Sequence, residues 1–167
     1  MSNVSIRPGM GAVPYDDNNG VGTTFRVWAK FATQVWVTGT FNNWSVDANP
    51  LAPEQNGYWS VDVADVKPDV GERYRYVIAS PFIDGVQWRT DPYCKSVQKN
   101  ENSDGGIVSG DYDWTGDNFS SPQWNELVIY EMHVASFNRD NAVPGNFDSI
   151  ITKLDYLRDL GINAIEL

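Results

Sequence analysis

The residues of this chain best suited to chemistry are its tryptophans, seven in 167 residues. Trp44 closes the run GTFNNW (39–44), where a strand-like segment passes into a loop with two asparagines beside the ring. An indole presents a flat apolar face, and neighbouring carboxamides present hydrogen bonds. Together they suit the C–H face and hydroxyl rim of a sugar ring, a recognition that needs no charge. The loop setting makes Trp44 a poor core residue, so Trp44 and Asn43 are candidate ligand contacts. Trp88, in VQWRTDPY (86–93), precedes a turn at Asp91-Pro92 and stands equally as a ligand contact or a core residue. Trp28 and Trp59 lie inside alternating segments and read as packing, while Trp36 is ambiguous. Arg75 could donate to hydroxyls from its strand or simply face solvent.

Other chemistries find little support. The carboxylates form no legible acid/base pair, and Glu131 and Glu166 give no reason to be promoted. His133 is the single histidine and lies on an apolar run, so no metal site and no cofactor are expected. No nucleophile elbow or phosphate-binding glycine loop occurs. Twelve basic against twenty-two acidic residues give a net charge of −10, which argues against nucleic acid and anionic membranes as partners. Cys94 is the only cysteine, so no internal disulfide forms. With no apolar signal segment at the start, the expected location is cytoplasmic.

These candidates must be held by short strands. TTFRVWA (23–29), TQVWVTGTF (33–41), YWSVDV (58–63) and ERYRYVIA (72–79) alternate, and VQWRT (86–90) and GGIVS (105–109) are shorter candidates. In the fourth, Tyr74, Tyr76 and Ile78 oppose Arg73, Arg75 and Val77. Turn chemistry separates the strands at Asp17 to Gly20, Gln55 to Gly57 and Ser103 to Gly106. The spacing predicts a mainly β protein, an antiparallel immunoglobulin-like β-sandwich over residues 1–110. A polar linker over 111–126 follows.

Residues 127–167 change period. LVIYEMHV (127–134) and INAIEL (162–167) are strand-like runs, and GNFDSIITKLDYLRDLG (145–161) has helical spacing. Asn146 or Asp148 is expected to cap that helix, with Gly161 at its C-terminal end. A parallel strand–helix–strand unit cannot cover its own strands, so a larger sheet or barrel is expected around it. Unpaired edges also make self-association through residues 127–167 an expectation.

Taken in order, FRVWA (25–29), VWVTGTFNNW (35–44), GYWSVDV (57–63), ERYRYVI (72–78) and RTDPY (89–93) resemble the β-sandwich of carbohydrate-binding module family 48. VIYEMHVASF (128–137) and GNFDSIITKLDYLRDLGINAIEL (145–167) resemble the first strand, helix and second strand of the glycoside hydrolase family 13 barrel. Within that family the likeness is greatest to 1,4-α-glucan branching enzymes and related α-amylases. The resemblance implies a truncated (β/α)8 barrel in 127–167 whose catalytic carboxylates lie on later strands, so no catalytic residue is expected in this chain. It also implies α-1,4-glucan (glycogen, starch or malto-oligosaccharide) as partner, with Trp44 and Trp88 stacking on glucose. Arg75 would donate to sugar hydroxyls where glycogen-binding members such as the β subunit of AMP-activated protein kinase carry lysine. The alternative is a non-binding sandwich that docks on and stabilises the barrel.

Overall fold

The computed structural model describes residues 2–98, 101–110, 112–140 and 142–167. The chain divides into two compact units, Met1–Tyr112 and Asp113–Leu167; Asp111, where the linker was expected to start, lies outside the described residues.

The first unit is mainly β, with strands β1 (Gly11–Asp17), β2 (Gly20–Trp28), β3 (Gln34–Gly39), β4 (Ala52–Pro53), β5 (Tyr58–Ala64), β6 (Arg73–Ser80), β7 (Ile83–Arg89), β8 (Ser96–Val97) and β9 (Gly105–Gly106). They form two antiparallel sheets. One has the order β1-β2-β5-β4; in the other β6 pairs with β3 along one edge, and with β7 and the β9-β8 hairpin along the opposite edge. Period-2 alternation turns Phe25, Val27, Val35, Val37, Trp59, Val61, Tyr74 and Tyr76 into the space between the sheets, where Leu51 and Ile107 complete the core. Phe25 stacks on Phe41 at 5.5 Å and meets Tyr74 edge-on at 5.2 Å.

The turn at Asp17–Gly20 forms the β1-β2 hairpin, with Asp17 opposite Gly20. The strand it closes, β1, carries Pro14 and little alternation, so only its edge position permits it. Arg26 and Trp28 depart from the pattern expected of β2. Arg26 is buried because residues 5–9 cross the outer face of the sheet: its guanidinium donates to the carbonyls of Ser5, Arg7 and Gly9 and pairs with Glu54 at 2.8 Å. Trp28, read from sequence as packing, is 53% exposed, its indole N–H held by the Asn56 carbonyl at 3.1 Å. Trp59 does pack, 8% exposed.

In the second unit a parallel pair, β10 (Ile129–Glu131) and β11 (Ala164–Glu166), encloses three short helices, α1 (Val134–Phe137), α2 (Phe147–Ile151) and α3 (Leu154–Asp159). Met132, Ile150 and Leu157 are its buried cluster. The strand expected over 127–134 is shorter, because the His133 carbonyl already accepts the amides of Ser136 and Phe137 and starts α1. Asn146 caps α2 as expected, its Oδ1 accepting the Ser149 amide at 2.9 Å, while the Asn146 amide donates to Ser149 Oγ.

The single helix expected over 145–161 is instead two. In a continuous helix the Ser149 carbonyl would accept the amide of Lys153. Here it takes Asn138 Nδ2 at 2.7 Å and the Thr152 hydroxyl at 2.8 Å, and the Lys153 amide turns to the Ile150 carbonyl. Gly161, at φ 93°, ends α3 in the left-handed region. No helix among the described residues is long and apolar enough to cross a membrane.

Candidate functional site

The outward face of β6 presents Arg73, Arg75 and Val77, since Tyr74 and Tyr76 point into the core. Register sets Trp36 of β3 and Trp88 of β7 on either side of Val77, which is fully buried. Trp36 thus belongs to this face and not to the interior. Beyond the end of β3 the chain makes a tight turn, a single 3₁₀ turn at Thr40–Asn42, followed by two residues in the left-handed region, Asn43 (φ 54°) and Trp44 (φ 60°). A bulky side chain in that region is strained by about 1–2 kcal/mol, so the loop must be held.

Asn42 does much of the holding. Its Oδ1 accepts the amide of Gly39 at 3.0 Å and the hydroxyl of buried Thr38 at 3.2 Å, and its Nδ2 donates to Asn49 Oδ1 at 2.8 Å. The Trp44 amide returns to the Gly39 carbonyl at 2.8 Å. Gly39 itself is extended and is needed for proximity: a Cβ there would lie 2.1 Å from the Arg73 carbonyl oxygen.

The result is an open hollow of about 640 Å³ lined by Trp44, Arg73, Arg75, Trp88, Asn102 and Asp104. The two indole rings are 6.3 Å apart between centroids, tilted by 38°. Arg73 lies 5.9 Å from the Trp44 ring and Arg75 lies 5.8 Å from the Trp88 ring, so each indole has its own guanidinium. Arg73 Nη1 is 3.5 Å from the buried carboxylate of Asp104. The Nε of Arg75 is buried with no hydrogen-bond partner among the described residues. Flat apolar rings, fixed donors and a carboxylate acceptor make a surface able to stack on a ring and hydrogen-bond its rim.

Three of the residues singled out from sequence, Trp44, Trp88 and Arg75, come together here. Asn43 does not line the hollow; it is exposed and takes the left-handed turn ahead of Trp44. Arg73, Asn102 and Asp104 were not singled out. Arg73 had a signal, since it is two residues from Arg75 on the same strand face. Asn102 and Asp104 had none, because they arrive from the loop between β8 and β9.

Asp91 anchors the segment after Trp88 to the core side of β6. It is 1% exposed, accepts the Tyr74 hydroxyl at 2.5 Å and takes the Tyr93 amide at 2.8 Å. Burial pushes its carboxyl above the usual range, with those two donors pulling the other way. Burial likewise pushes the Tyr74 hydroxyl and the Cys94 thiol up, and the Asp91 charge adds to both shifts. Among the described residues no group of three or more His, Cys, Asp and Glu could hold a metal ion.

A two-sheet sandwich with an aromatic outer face and a tight loop at its rim defines a class of small β modules. Residues 9–94 match the model of carbohydrate-binding module 48 (isoamylase N-terminal domain), and the chain belongs to that family. It is similar to the 1,4-alpha-glucan branching enzyme of Picrophilus torridus, 30% identical over 148 residues that make up 87% of this chain and 20% of that enzyme. The structure of a pullulanase from Bacillus acidopullulyticus matches 94% of this chain and 21% of its own, at 25% identity and a TM-score of 0.63. A pullulanase from Anoxybacillus sp. LM18-11, solved with maltotetraose, matches 77% of this chain and 18% of its own, at 29% identity and a TM-score of 0.53. The chain spans about a fifth to a quarter of the curated relatives it matches.

Proposed function

We propose that the first unit binds α-1,4-glucan, or malto-oligosaccharides cut from it, in the hollow between Trp44 and Trp88. The observation that carries this reading is the pair of indoles 6.3 Å apart, each beside a guanidinium. Trp44 and Trp88 stack on successive glucose rings, Arg75 donates to hydroxyls, and Asn43 serves through the turn that presents Trp44. The maltotetraose in the related pullulanase structure supports the choice of sugar.

The sandwich is read as immunoglobulin-like over 1–110, with a linker over 111–126. Residues 127–167 are read as the opening strand–helix–strand of a (β/α)8 barrel in a cytoplasmic branching enzyme or amylase. Exposed Ile151, Leu154 and Leu160 favour burial of that segment against further barrel or a second copy.

A second reading, a sandwich that docks on its enzyme and stabilises it, is favoured by a separate apolar groove of about 570 Å³. It lies beside exposed Trp28, Phe31 and Phe82.

Affinity electrophoresis in glycogen or amylose separates the two. The glucan-binding reading expects the wild type to be retarded, with Trp44→Ala and Trp88→Ala each weakening binding about tenfold or more. Unretarded wild type would leave the docking reading alone.

A further inference from the structure

We infer that this hollow prefers an α-glucan bearing a phosphate monoester over the neutral polymer. This rests on the glucan-binding reading above.

Its lining holds two guanidinium groups, Arg73 and Arg75, against one carboxylate, Asp104. That local excess of positive charge stands out in a chain of net charge −10. The two cations are not equivalent. Arg73 is paired with Asp104, which is buried and fixed beside it. Arg75 takes part in no salt bridge among the described residues, and its buried Nε has no acceptor there. A buried donor without an acceptor is costly, and more so on a charged group.

Arg75 lines the hollow with its guanidinium 5.8 Å from the Trp88 ring, so an anion held beside that ring meets the cation. A sugar hydroxyl would satisfy one donor but not the charge. A phosphate monoester supplies three acceptor oxygens and up to two negative charges, and it matches the planar fork of arginine. With the indoles gripping the sugar rings, a phosphate on one ring reaches Arg75 without disturbing the stack.

The test is calorimetric titration of the full chain with three probes: maltoheptaose, maltoheptaose carrying one glucose 6-phosphate, and inorganic phosphate alone. The phosphorylated sugar is expected to bind roughly tenfold more tightly than the neutral one at low salt. That advantage should shrink between about 50 and about 500 mM salt. It should also shrink as pH falls below about 6, where the monoester loses its second charge. Arg75→Gln should bring the two oligosaccharides to equal affinity, and Arg75→Lys should restore part of the difference, with far-UV circular dichroism confirming that each variant folds.

Equal wild-type affinity for both oligosaccharides would overturn the inference and leave the glucan-binding reading standing. Binding of inorganic phosphate as tight as that of the phosphorylated sugar would overturn it in favour of a simple anion site. Binding of none of the three would overturn both.

Discussion

The Tyr74 hydroxyl donates to Asp91 Oδ2 at 2.5 Å in a place where neither side chain meets solvent. Burial raises the Asp91 carboxyl above its unfolded value. The folded state therefore holds that proton more tightly, and this contribution to stability is full below the unfolded carboxylate pKa. It is lost as pH rises through the folded value. Tyr74→Phe removes a donor to the ionised form, which raises the folded pKa further. The substitution should cost about 1–3 kcal/mol, more at neutral than at acid pH. Urea unfolding across that range checks it: a cost independent of pH would mean that Asp91 is not the group responsible.

Asn42 lines no ligand surface, yet it should govern how Trp44 is presented. Asn42→Ala strips the acceptor from the Gly39 amide and the Thr38 hydroxyl, a loss of about 1–3 kcal/mol. Acrylamide should then quench Trp44 more readily in a background where the other exposed tryptophans are replaced by phenylalanine. Asn43→Gly should be close to neutral in both stability and quenching, because glycine accepts φ 54° without strain.

Gly39→Ala should be worse than its small size suggests. The added methyl would fall 2.1 Å from the Arg73 carbonyl, so β3 and β6 must part or the loop must shift. A loss of about 1–3 kcal/mol is expected, together with weakened glucan retention. Retention equal to wild type after the substitution would show that the loop tolerates the shift.

Arg26→Met tests the segment that crosses the first sheet. The change leaves Glu54 and three carbonyls without their donor, at a cost of about 3–5 kcal/mol. Amide exchange at Ser5, whose N–H is held by Ser60 Oγ at 2.9 Å, should accelerate. Unchanged protection there would mean that the segment is held without Arg26.

Much of the sandwich was legible because alternation decides which side chains go inside. Phe25, Val27, Tyr74 and Tyr76 follow that rule. It fails at Arg26, since no local signal says that a stretch near the N-terminus will cover the outer face. It also fails at β1, where Pro14 hides an edge strand. The site was legible at Trp44 because an indole on an asparagine-rich turn is out of place in a core. Trp88 is undecided by its local sequence; the register of β6 with β3 and β7 puts it beside Val77 and across from Trp36 on one face. Asn102 and Asp104 depend on how the β8-β9 hairpin meets β6, a long-range fact absent from any window of sequence. The break between α2 and α3 was likewise invisible, because it is set by Asn138, a residue well before the helix.

The closeness of Trp44 and Trp88 has an optical consequence. Two indoles 6.3 Å apart and tilted by 38° lie near enough for their electronic transitions to couple. The folded hollow should therefore carry an exciton band in its circular dichroism spectrum that neither ring produces alone. Any substitution that displaces one ring would erase the band while the sheets stay intact. The site thus reports its own geometry, with no label and no ligand.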